Sequence, residues 1–289
     1  MSRRLRRLWP HAGSCVLDGP GSEGIDRMGY TRQTPLQSGQ AGRKWTVPRS
    51  GTVAPQPAPP SAPVRRFDIS FLNGAGDAET VARPGPAQPA FEAAFSAFQR
   101  GALVQTPQGP VAVEDLIPGT EIDTAHGPQP LAWVGSMTLL PEGLSDKLPA
   151  GRLYRIAADG FGLGRPMPDL MLAEGARLVS HTPAVRAAAK ADAALAPVSV
   201  MSDGMTVIRI SPPSPVRVFH LVLERHAVIQ VNGVETDSFH PAATGADALG
   251  PEMRRVYLSL FPHLHSFEGF GPVAMPRLSE HDLAATFAA

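Results

Sequence analysis

From residue 102 onward, apolar and polar positions alternate with a period of two in short bursts, each closed by Gly or Pro. Side chains of a strand point to opposite faces in turn, so this spacing predicts strands over 102–106, 109–113, 121–124, 131–138 and 152–156, then over 206–211, 216–223, 227–231 and 234–238. The joints Pro107-Gln108-Gly109, His126-Gly127 and Asn232-Gly233 carry tight-turn chemistry, and Asn-Gly is the strongest short hairpin signal. A further strand is expected over Arg65–Leu72, with Asn73-Gly74 turning the chain after it. Phe91, Phe95 and Phe98 stand at i, i+4 and i+7, which predicts a helix over 89–98 halted by Gly101, its aromatic stripe serving as core. Past residue 245 the pattern turns helical again. Pro251 behind Gly250 opens a helix with Met253, Val256, Tyr257 and Leu260 on one face. Ser279 and Asp282 have the spacing of a capping arrangement before a last short helix.

Strands this short and this frequent predict an all-β body. The 31 prolines and 28 glycines suit many turns between them. Three regions are expected: a disordered basic Pro/Gly-rich tail over 1–64, a β domain over 65–245 with its preceding strand and helix, and a C-terminal helical extension over 246–289. The tail lacks apolar periodicity, and the run from Gly51 to Pro63 has polyproline character. Residues 1–66 carry a net charge of +8 and the remainder −8, so the chain sums to zero. A basic arm could serve nucleic acid, but apart from Arg3–Arg7 the charge is not dense, and neither a nucleic-acid nor a membrane signal stands out.

One cysteine, Cys15, rules out an intrachain disulfide framework and a cysteine-based metal cage. The sequence contains no apolar run near 18 residues and no clear secretory signal, and a cytoplasmic location is the expectation. The run from Tyr257 to Phe267 is apolar enough to pack on the chain's own domain.

Ala97-Phe98-Gln99-Arg100-Gly101-Ala102-Leu103-Val104 resembles the Cys-Phe-x-x-Gly-Thr-x-Ile opening of bacterial Hedgehog/intein (Hint) autoprocessing domains. The segments 109–119 and 127–133 follow at that family's spacing, and 216–233 is similar to its late block, where a histidine and Asn-Gly precede the end of the domain. Ser238-Phe239 matches a pair common in the bacterial subgroup. The likeness spans roughly residues 97–240. It implies a pseudo-twofold all-β horseshoe whose ends meet at an active site. It also implies a first reaction in which a thiol or hydroxyl attacks the preceding carbonyl, an N-to-S or N-to-O acyl shift. That chemistry needs stabilisers for the tetrahedral intermediate and a proton donor for the departing amine.

Against that pattern, Ala97 stands in the nucleophile's place, and Ala173 and Ala176 stand where a mid-domain Ser/Thr and His belong. Thr120 replaces the acidic residue usual after Gly119. The expectation is therefore a Hint domain without self-cleavage, retained for binding or scaffolding through its groove, with no cofactor, no metal and an unidentified partner, a protein being the candidate. His226 matches the family's late-block histidine and His220 a neighbouring strand position; without a nucleophile both are expected to be structural. The competing reading is an active autoprocessing domain that cleaves before Ser96 or near Asp237-Ser238, using Ser96 or Ser238 with His226. His263 and His265 could share a face as metal ligands, but lack a third. Gly160–Gly164 reads as a loop and not a phosphate cradle, since no Lys-Ser/Thr pair follows.

Overall fold

The computed structural model describes residues 63–242 and 244–287. Of the expected tail over 1–64, residues 1–62, with Cys15, lie outside the described residues, as do the last two residues of the chain; Val64 is the first residue of a strand. Among the described residues, fifteen strands form the body. They are β1 (Val64–Leu72), β2 (Ala78–Pro86), β3 (Phe98–Gln99), β4 (Leu103–Thr106), β5 (Gly109–Ala112), β6 (Glu121–Ile122), β7 (Gln129–Leu139) and β8 (Leu153–Ile156) in the first half. The second half has β9 (Leu170–Ala173), β10 (Arg177–Ser180), β11 (Ala194–Pro197), β12 (Val207–Ile210), β13 (Val216–Leu223), β14 (Val228–Val231) and β15 (Val234–Asp237). Four helices accompany them: α1 (Pro89–Glu92), α2 (Pro183–Ala189), α3 (Pro251–Leu258) and α4 (Glu280–Phe287). Among the described residues no helix is long and apolar enough to cross a membrane.

The strands make two sheets. One runs β12-β8-β9-β3-β13-β7-β1-β2, with β6 paired to β7; the other runs β11-β10-β15-β14-β4-β5. Every pairing between these strands is antiparallel. A shared core containing Phe98, Leu131, Leu172 and Leu221 from the first sheet and Val104, Leu178, Ile229 and Val231 from the second joins them. A second core lies against β1, β7 and β13 and takes in Phe91, Phe95, Tyr257 and Phe261. The C-terminal extension is therefore built into the domain and closes one of its faces. Trp133 joins the two parts: its indole stacks on Phe261 at 4.8 Å, and its Nε1–H donates to the Leu260 carbonyl at 2.8 Å. That ring lies across Gly135, where a Cβ would fall 2.0 Å from it. The sheet needs a glycine there to let the indole lie flat.

The period-two reading recovers most strands within a residue or two. The helix expected over 89–98 is corrected. It ends at Glu92, and Phe98 lies on β3, paired with Phe219 of β13 and Leu172 of β9. The three phenylalanines are buried as expected, but Phe98 joins a different core from Phe91 and Phe95. Two sheet neighbours for Phe98 outweigh one more helical turn. β2 escaped the pattern because it is an exposed edge strand that contributes backbone pairing to β1 along its whole length and buries little. The Ser279–Asp282 cap forms reciprocally: the Ser279 hydroxyl donates to Asp282 at 2.7 Å and accepts from the Asp282 N–H at 3.2 Å.

Asn232 ties the two halves of the domain together. In a left-handed conformation (φ 49°) at the β14–β15 turn, its Oδ1 accepts the Leu103 N–H at 2.7 Å and its Nδ2 donates to the Pro168 carbonyl at 3.1 Å. Asn232→Ala leaves both groups without a partner and should cost on the order of 3 kcal/mol. Asn232→Asp keeps the acceptor for Leu103 and should fall between, as read by the urea midpoints of the two variants.

Candidate functional site

The site forms along one edge of β13. The Phe219 carbonyl accepts the Ala97 N–H at 2.9 Å, and the Leu221 carbonyl accepts the Phe239 N–H at 2.6 Å. Alternate carbonyls on a strand edge are roughly 7 Å apart. The segment that opens the resemblance and the one that ends it thus arrive side by side, flanking His220. On its other side Ala97 meets the β9–β10 turn: the Ala97 carbonyl accepts from Ala173 N–H, and the Ser96 carbonyl accepts from Gly175 N–H, both at 2.8 Å. The Ser96 carbonyl is the one that a nucleophile at position 97 would attack. A backbone donor still holds it.

Apart from His220, the side chains that meet here are small or apolar. Ala97, Ala173 and Ala176 are all at most 1% exposed and lie in the hydrophobic cores. Backbone hydrogen bonds link the three alanine positions: the Ala173 N–H donates to the Ala97 carbonyl and the Ala176 N–H to the Ala173 carbonyl. Gly175 is packed so closely that a Cβ would sit 2.6 Å from the Ala93 carbonyl oxygen and 2.7 Å from that of Ser96. A cavity of about 780 Å³ exists elsewhere, bounded by Leu178, Ser180, Val185, Val200 and Val234; the alanine junction does not line it.

Ser96 is buried, and its hydroxyl donates to the Glu92 carbonyl at 2.7 Å in the turn after α1. His220 is fully buried between the rings of Phe98 and Phe239, at 5.7 and 5.1 Å. Its Nδ1 accepts the Leu221 N–H at 3.1 Å, and its Nε2 has no protein partner. Burial pushes its pKa from 6.5 down to about 3, so the ring is neutral in the fold.

His226 is buried in a second polar cluster. Its Nδ1 accepts the Ala274 N–H at 2.8 Å, and its Nε2 faces Asp237 Oδ2 at 3.4 Å. The same oxygen lies 3.4 Å from the Arg277 guanidinium, both groups being nearly inaccessible. Burial alone would raise the Asp237 carboxyl, but Arg277 and His226 hold it below its ordinary value. Burial lowers Arg277, and it lowers Arg177, next to it, to about 10. Ser238 is fully buried, its Oγ accepting the Ala227 N–H at 3.0 Å.

Sequence reasoning marked His220 and His226 but passed over Arg277 and gave His240 no role. Arg277 comes from the extension, 40 positions after Asp237, with no motif around it. His240 showed only a following proline; in the fold its carbonyl accepts from Arg277 at 2.7 Å. His263 and His265 do not form a shared face: His263 packs against Phe261 and is pushed by burial down to about 4, whereas His265 is exposed. Among the described residues no three His, Cys, Asp or Glu side chains are grouped to hold a metal ion.

Two outcomes follow. Gly175→Ala should destabilise by about 2 kcal/mol or more, because the added carbon meets backbone that cannot give way, seen as a lower urea midpoint. For His220, the unfolded ring (pKa 6.5) takes up a proton before the folded one (about 3). Stability from this burial is complete above pH 6.5 and drains as pH falls toward 3, by up to about 1.4 kcal/mol per pH unit. His220→Phe should therefore flatten the fall in unfolding free energy between pH 6.5 and 4.

No curated protein matches the chain significantly. A solved structure described as a bacterial intein-like domain from Clostridium thermocellum is similar over 50% of this chain and 99% of its own, with 11% identity and a TM-score of 0.36. The sequence model of the family described as the Hint domain matches residues 96–243, slightly more than half of the 289 residues. The chain belongs to the Hint domain family.

Proposed function

We propose that this Hint domain does not cleave itself and serves as a binding or scaffolding module. The observation that carries the proposal is the buried junction of Ala97, Ala173 and Ala176, where the two ends of the domain meet. An acyl shift needs a nucleophile beside the Ser96 carbonyl and a group to protonate the Ala97 nitrogen as it departs. Three methyl groups supply neither. The Gly175 N–H donates to the Ser96 carbonyl, but polarisation of a carbonyl without an attacking group breaks no bond. The Ala97 N–H is engaged by the Phe219 carbonyl, as in any sheet.

The competing reading, a serine nucleophile, has specific geometry against it. Ser96 Oγ–H is committed to the Glu92 carbonyl. Ser238 Oγ already accepts from Ala227 N–H, and His226 turns its two nitrogens to Ala274 and Asp237.

Intact mass spectrometry of the purified chain decides between the two. After prolonged incubation with dithiothreitol or hydroxylamine, the full-length mass should persist unchanged. Fragments ending at Phe95 or Asp237 that disappear in Ser96→Ala or Ser238→Ala would overturn the proposal. Ala97→Cys alone should also stay intact under thiol, since Ala173 and Ala176 remain apolar; rapid thiol-dependent cleavage in that variant would mean the missing side chains are dispensable.

A further inference from the structure

Residues 271–278 form an irregular strap across the late block, tied by histidine rings at Gly271 and Ala274 and by strand-like bonds over 276–278 that have the character of peptide recognition. The Leu195 N–H donates to the Pro276 carbonyl at 2.8 Å, and the Leu278 N–H donates to the Leu195 carbonyl at 2.9 Å. Residues 276–278 thereby add themselves to the edge of β11 as a short parallel strand, bridged at Leu195 and Arg277. Between these two bonds the Arg277 side chain turns inward toward Asp237, with its Nη1 donating to the His240 carbonyl. Arg177 caps the Leu278 carbonyl, and the Leu278 side chain enters a small apolar core with Val185, Ala194 and Ala196. A backbone edge, a buried acid for one guanidinium and an apolar socket for the next residue make a complete strand-recognition site.

The occupant fits this site imperfectly. Asp237 is 1% exposed, yet its Oδ1 has no protein partner, and neither has Arg277 Nε. The pair meets through one oxygen and one nitrogen at 3.4 Å, although a guanidinium and a carboxylate can pair through two parallel hydrogen bonds. A tethered segment can hold such a site without good fit, because the chain itself supplies a high effective concentration. The residues on its N-terminal side, 271–274, are exposed.

We infer that the groove formed by β11, Asp237 and His240 is a binding site for an arginine-bearing extended peptide, filled in cis by Pro276-Arg277-Leu278. Its ligand in trans is a partner protein segment that presents an arginine followed by an aliphatic residue. This rests on the reading of the domain as a binding module and names the chemistry of its partner. The strap is then a competitor, displaced when the partner pairs with both oxygens of Asp237.

The test uses the full chain with a protease recognition sequence inserted between Pro272 and Val273, compared cut and uncut. The probe is a fluorescent synthetic peptide covering residues 273–282, followed by anisotropy. The cut protein should bind it saturably and at least tenfold more tightly than the uncut protein. Replacing the peptide's arginine by alanine should weaken binding at least tenfold, a change that leaves the protein untouched. Equal binding by cut and uncut chains, equal binding of the arginine-free peptide, or no binding at millimolar peptide would each overturn the inference. Intact mass of the uncut protein reports self-cleavage separately, so fragments there would refute the inert reading without deciding the peptide result.

Discussion

The carbonyls of Phe219 and Leu221, on one edge of β13, are the constraint around which the domain is arranged. Backbone carbonyls in a core must find donors, and these two take theirs from Ala97 and Phe239. That choice brings together two segments more than 140 positions apart in the chain. On the opposite edge β13 is held along its length by β7, which in turn carries Trp133 and the aromatic core beneath it. Because the junction is made by main chain, it is indifferent to the side chain at position 97. Position 97 can therefore carry an alanine without loss of this pairing.

The same indifference allows the junction to be lined by alanines. Ala97 and Ala176 belong to one apolar core and Ala173 to the other. His220 remains there as a neutral ring between two phenylalanines; it can stay only in the form that burial favours. The charged chemistry of the domain lies instead around Asp237, where His226, His240 and Arg277 converge. A buried carboxylate without a cation would be strongly destabilising. The arginine brought in by the C-terminal strap makes that carboxylate tolerable, so the extension is electrostatically part of the domain as well as packed on it.

Much of this was legible in the residues. Alternation identified β7, β13 and β15 because each buries one face or both between sheets, and Asn232-Gly233 marked its hairpin through left-handed backbone. β2 and β11 were not legible: an edge strand such as β2 is selected by its neighbour's free backbone, and Ala194-Leu195-Ala196-Pro197 has no alternation to read. The helix through Phe98 went wrong for a related reason. A stripe at i, i+4 and i+7 records that three rings are buried, and cannot say that the third one faces two strands instead of a helix partner. Of the candidate site, the three alanines and the two late histidines were picked out through the resemblance to the Hint family, whereas Arg277 was not, since nothing local distinguishes it from a surface arginine.

The chain by itself determined its class of fold and the identity of the groups at the junction, because periodicity, turn chemistry and the absence of a reactive atom at position 97 are local properties. Tertiary structure alone decided which groups face one another: that Ala97 and Phe239 share an edge of β13, that the C-terminal extension seals the late block, and that Asp237 meets Arg277. Those pairings depend on where distant backbone donors and buried charges find partners. Such a balance is struck across the whole packed molecule, and no short window of residues contains it.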